Sequence, residues 1–114
     1  MNSHAVAPSR EGKLPDPGLD EAVAIFYALY DSNYPRGDHD TPFQCKTGIL
    51  LVENRQLDPR RLRDCEFEVL ELELDLVNGL IDIVQELDPD ILVGWDVQAG
   101  SWGYLAARAG TYGM

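Results

Sequence analysis

The chain has 114 residues, of which 45% are hydrophobic, and its 20 acidic against 9 basic residues leave a formal net charge of −11. One domain with a packed core is the expectation at this length. The charge repels phosphate backbones and disfavours autonomous nucleic-acid binding, but not a role inside a larger DNA-handling protein whose basic surface lies elsewhere. The two cysteines, Cys45 and Cys65, stand apart, so neither a zinc ribbon nor a disulfide framework is expected, and reduced thiols in an intracellular compartment are the default. No apolar run reaches membrane-spanning length, and "MNSHAVAPSREGK" has no apolar centre of the kind a secretory signal needs.

Residues 1–19 are rich in Pro, Gly and charge and read as a flexible N-terminal segment ending in the turn-forming "LPDPGLD". A partial domain is expected over residues 20–114. "EAVAIFYALY" (Glu21 to Tyr30) reads as a buried strand, residues 31–46 as a loop and "TGILLVEN" (Thr47 to Asn54) as a second strand. "RQLDPRRLRD" is a charged connection, and "CEFEVLELE" alternates as a half-exposed third strand.

A helix is expected from about Glu71 to Leu87. Leu72, Leu76, Val77, Leu80, Ile81, Ile83, Val84 and Leu87 fill one half of its wheel, and Glu71, Asp75, Asn78, Asp82, Gln85 and Glu86 the other. Glu73 and Leu74 fit neither arc. Pro89 ends the helix, "ILVGW" (Ile91 to Trp95) follows as a fourth strand, and "SWGYLAARAG" opens a second helix. Short connections make the first three strands antiparallel, and the helical crossover makes the fourth parallel. The fold class is α/β, a mixed sheet flanked by helices.

The stretch "ELDPDILVGWDVQAGSWGYLAARA" resembles the second exonuclease motif of family B DNA polymerases, and within that family it is most similar to the zeta-type translesion branch. "KLPDPGLDEAVAIFYAL" resembles the strand that follows the first exonuclease motif there. The resemblance implies a truncated ribonuclease H-like fold and a 3'-5' exonuclease-like domain. By position, Gly94 matches the motif glycine, Trp95 its aromatic, Asp96 its usual Asn and Gly100 its Phe. Ser101 stands at the catalytic Asp, Gly103 at the Pro, and Tyr104 and Leu105 at the Tyr-Leu pair. By spacing, Asn2 and His4 fall near the two carboxylates of the first motif, and the third motif would lie beyond Met114. Exonucleases of this family hold two metal ions with clustered carboxylates, and a neutral serine removes one anionic ligand from such a cluster.

The resemblance therefore implies a site with no intact catalytic residue among Asp96, Ser101 and Tyr104, and with no metal or cofactor in this segment. Magnesium is implied only for the parent, a DNA-directed DNA polymerase. DNA through that parent and other polymerase subunits are the implied partners, the nucleus the implied location, and no membrane is involved. The alternatives are a stand-alone protein-interaction module and a non-functional gene fragment.

Plainer roles compete at several positions. Ser101 suits a helix N-cap that accepts a backbone N–H. Trp95, Trp102 and Tyr104 are expected to pack rather than to stack on bases. Asp38, His39 and Asp40 read as a surface turn ahead of a metal site. Arg55, Arg60, Arg61 and Arg63 read as a loop that balances the acidic helix.

Overall fold

The computed structural model describes residues 1–8, 12–30, 45–53 and 66–114. Four strands form one sheet in the order β1-β2-β3-β4: β1 (Asn2–Val6), β2 (Ala24–Tyr30), β3 (Cys45–Val52) and β4 (Phe67–Leu70). Helix α1 (Glu73–Leu87), the single turn α2 (Val97–Gly100) and helix α3 (Trp102–Gly110) follow. β1 pairs antiparallel with β2 and β2 antiparallel with β3, while β4 runs parallel to β3. The expected mixed sheet is present, consistent with a ribonuclease H-like exonuclease fold.

Its membership differs from expectation at three strands. Asn2–Val6, expected within a flexible segment, is β1 and pairs along its whole length with β2. β4, expected to lie antiparallel, is parallel, and residues 53–66 are long enough for the crossover that a parallel pair needs. Ile91–Trp95, expected as a full strand, makes a single parallel bridge, Val93 with Asn2. The Asp38–Asp40 turn, the arginine-rich connection and Cys65 lie outside the described residues.

Strand alternation sorts the side chains onto two faces. Ala5, Ile25 and Leu50 form a cross-strand row on the face that receives the helices. There they pack with Leu29, Leu76, Leu80, Tyr104 and Leu105. Ala24, Ile49 and Leu51 form a smaller cluster on the opposite face. One row along from Ile25, Tyr27 pairs with Gly48, where any side chain would collide with the Tyr27 ring.

On α1 the apolar arc is buried at Leu76, Val77 and Leu80, and every residue of the expected polar arc is exposed. Leu72 is exposed, since the helix begins one residue after it. α1 stops at Leu87, as the proline predicts. Asp88 turns left-handed (φ 45°) and donates its N–H to the Val84 carbonyl at 2.9 Å. No helix among the described residues is long and apolar enough to cross a membrane.

Candidate functional site

The Ile91–Ala109 corner is assembled on β1. The Met1 amino group donates to the Ile91 carbonyl at 2.7 Å, and the Val93 N–H donates to the Met1 carbonyl at 2.8 Å. Past Gly94 the backbone reverses at Asp96, which adopts φ 47°. An aspartate tolerates this left-handed conformation better than most residues. The Asp96 carbonyl accepts the N–H groups of Ala99 and Gly100, which closes α2. The Asp96 side chain itself is exposed.

Ser101 ends α2 and precedes α3, and it is 0% exposed. It occupies the N-cap position, but its side chain caps nothing. Instead its hydroxyl donates to the Ser3 carbonyl at 2.8 Å and lies 3.2 Å from the Ser3 hydroxyl. Each hydroxyl has one proton, so Ser3 Oγ–H donates to Ser101 Oγ. The residue that meets Ser101 is therefore Ser3, and not Asn2 or His4. Those two point to the opposite face of β1, as alternation requires. Gly94 admits this packing, because a β-carbon there would overlap the Ser101 side chain.

Tyr104 is buried, and its hydroxyl donates to the Asp20 carbonyl at 2.7 Å. Burial pushes its pKa up, so it holds its proton and anchors the "LPDPGLD" turn to α3. Trp102 is half-buried, and its Nε1–H donates to the Val93 carbonyl at 2.8 Å. Trp95 corrects the expectation of packing. It is 87% exposed, because the left-handed turn at Asp96 follows before the chain folds back over the sheet.

A second polar centre ties α3 to α1. Glu73 and Arg108 are both buried and form a bidentate ion pair, with Arg108 Nη2 to Glu73 Oε1 at 2.5 Å and Nε to Oε2 at 2.9 Å. The Tyr112 hydroxyl donates to Glu73 Oε1 at 2.7 Å, the Ala22 N–H to Glu73 Oε2 at 2.5 Å, and Arg108 Nη1 to the Pro17 carbonyl at 3.0 Å. Desolvation raises the Glu73 pKa, but hydrogen bonds from Arg108, Tyr112 and Ala22 outweigh it and hold the carboxyl below its ordinary value. The same pairing raises Arg108. Glu73 was the misfit on the helix wheel. Its one signal in the sequence was a charge at an apolar position, which demands a partner.

The corner does not suit a hard divalent cation. Its innermost donors are two neutral hydroxyls already bonded to each other and to backbone, whereas such ions take anionic oxygens. Among the described residues, no group of three His, Cys, Asp or Glu side chains converges on one point.

Comparison with known proteins agrees with this architecture. Residues 7–114 match the family model for the DNA polymerase family B exonuclease domain. The chain is 34% identical over 109 residues to the DNA polymerase zeta catalytic subunit of Saccharomyces cerevisiae, covering 90% of this chain and 7% of the relative. It is 35% identical over 111 residues to the Arabidopsis thaliana protein of the same name, covering 95% of this chain and 5% of that relative. For the human protein of that name the identity is 31% over 117 residues, covering 90% of this chain and 4% of the relative. The chain thus spans less than a tenth of the length of these relatives. It belongs to the exonuclease-domain family of the family B DNA polymerases.

Proposed function

We propose that this chain is the exonuclease-like portion of a zeta-type translesion polymerase, and that it has lost cleavage and serves there as a scaffold. In this reading it packs against the polymerase core, and its partners are DNA, reached through that polymerase, and the other polymerase subunits in the nucleus. The single observation that supports it most is the Ser3–Ser101 pair. At the position matching the catalytic Asp of the second motif stands a buried hydroxyl that closes on β1 and leaves no anionic oxygen for a metal. Loss of proofreading suits an enzyme that extends mismatched or damaged ends, because a nuclease would remove what the enzyme has just made.

The test is incubation of the purified chain with labelled single-stranded DNA and magnesium or manganese. No shortening of the strand is expected. Metal-dependent trimming that disappears in Asp96→Ala would overturn the reading.

A further inference from the structure

Asn78 and Gly79 lie in the middle of α1, and of the four asparagines in the chain only Asn78 is followed by glycine. Glycine is a poor helix former, because it has the most backbone freedom to lose on folding. Packing does not demand it here. A β-carbon on Gly79 would meet the Leu50 and Leu70 side chains at 3.6 Å, an ordinary contact, so alanine fits. Asn78 is exposed on the polar arc. α1 is thus weakened at the one bond in the chain where an asparagine precedes a backbone nitrogen that no side chain shields.

That juxtaposition has a chemistry of its own. The Gly79 nitrogen attacks the Asn78 side-chain carbonyl carbon. A bond forms between Gly79 N and Asn78 Cγ, the Cγ–Nδ2 bond breaks, and ammonia leaves with the proton from Gly79. Water then opens the cyclic imide. Opening at Cγ leaves an aspartate at this position. Opening at the main-chain carbonyl carbon leaves an isoaspartate, so that the chain runs through the side chain. Water is the only co-reactant.

The folded helix blocks the first step. In α1 the Gly79 N–H is committed to the Asp75 carbonyl, and Asn78 is held at helical backbone angles. The reaction therefore waits on opening of the first half of α1. No side chain caps that end, where Leu72 stands at the N-cap. The first turn is held from outside, by Arg108, Tyr112 and the Ala22 N–H on the Glu73 carboxylate.

We propose that Asn78 is a deamidation site and that the Glu73–Arg108 pair sets its rate, by setting how often α1 opens around Gly79. The change is one-way. An aspartate at this position adds a charge three residues from Asp75 and four from Asp82, both exposed, where like charges repel. An isoaspartate lengthens the main chain and separates the turn that carries Glu73 from the turn that carries Leu80. Deamidation thus loosens the helix that had protected the site.

The test is peptide mapping by mass spectrometry of the full chain after incubation in neutral buffer, with aspartate and isoaspartate products separated by chromatography. Slow conversion at Asn78 is expected in the parent. Arg108→Met should speed it roughly tenfold or more, equivalent to about 1.4 kcal/mol of lost protection. Arg108→Met with Glu73→Leu should return it toward the parent rate. Tyr112→Phe removes one hydrogen bond from Glu73 and should speed it by a smaller factor, so it decides the matter where Arg108→Met does not fold. Gly79→Ala should nearly stop conversion in every background. In guanidinium chloride all variants that keep Gly79 should convert at one common rate, because only opening and not chemistry distinguishes them.

Conversion in buffer that neither Arg108→Met nor Tyr112→Phe accelerates would overturn the proposal. So would an absence of conversion at Asn78 in guanidinium chloride, or a folded double variant that converts as fast as Arg108→Met.

Discussion

Ser101 and Ser3, 98 positions apart in the chain, are joined by two hydrogen bonds in the interior: hydroxyl to carbonyl at 2.8 Å and hydroxyl to hydroxyl at 3.2 Å. Ser101→Ala removes the partner of a buried hydroxyl and is expected to cost roughly 1–3 kcal/mol. Ser101→Asp places an unpaired charge against the Ser3 carbonyl and is expected to cost more, roughly 3–5 kcal/mol. Urea unfolding followed by Trp fluorescence ranks the two. A Ser101→Asp protein as stable as the parent would show that the corner has room for a solvated carboxylate.

Gly94 and Ser101 occupy one space. Gly94→Ala forces its methyl group into the Ser101 side chain and is expected to destabilise by roughly 1–3 kcal/mol. In a Ser101→Gly background the same change meets no hydroxyl, so its cost should fall to well under half. The coupling is read from a double-mutant cycle. Additive costs would mean that Gly94 is needed for a different reason.

Arg108 is the one positively charged side chain buried in the interior among the described residues. Arg108→Met leaves the Glu73 carboxylate buried without its partner, at a cost of roughly 3–5 kcal/mol. Arg108→Met combined with Glu73→Leu removes both charges and should recover most of that loss, because a well-packed apolar pair replaces a buried ion pair at little cost. Thermal or urea denaturation of the three variants provides the check.

The same pair sets an acid limit. Desolvation pushes the Glu73 carboxyl up, but its hydrogen bonds hold it below its ordinary value. The folded pKa is therefore lower than the unfolded one. The stability it contributes is fully present above the ordinary glutamate value of about 4.3 and is lost as pH falls below it. Unfolding midpoints measured from neutral pH downward should drop there, and Glu73→Gln should flatten that part of the profile.

Asp96 sits at φ 47° with its side chain in solvent. Asp96→Gly removes the steric cost of the left-handed conformation and is expected to change stability by less than about 1 kcal/mol. Asp96→Val puts a β-branched residue there and is expected to cost roughly 1–2 kcal/mol. Equal stability of the two variants would mean that the turn relaxes.

Much of this fold was legible in the chain. The period of α1 named its buried face, Pro89 marked its end, and the apolar run through Ile25 and Leu29 marked a buried strand. The "DPDILVGW" and "SWGYL" stretches pointed to the family that the comparisons show. β1 was hidden because "NSHAV" is short, polar in part and flanked by Pro and charge. It becomes a strand only through its pairing with β2. Glu73 looked like an error on the helix wheel because its partner Arg108 is 35 positions away.

Local pattern by itself determined the extent of α1, the run of β2 and which face of α1 is apolar, because those follow from periods of 3.6 and 2 residues along the chain. Spacing placed Asn2 and His4 at the first-motif positions. Only tertiary structure decided that Ser3 is the residue opposite Ser101, since a shift of one residue along a strand exchanges its two faces. It also decided that Ser101 binds β1 instead of capping its own helix and that Glu73 is neutralised from a second helix. Each of these depends on contacts between residues far apart in the chain, and no local window contains both partners.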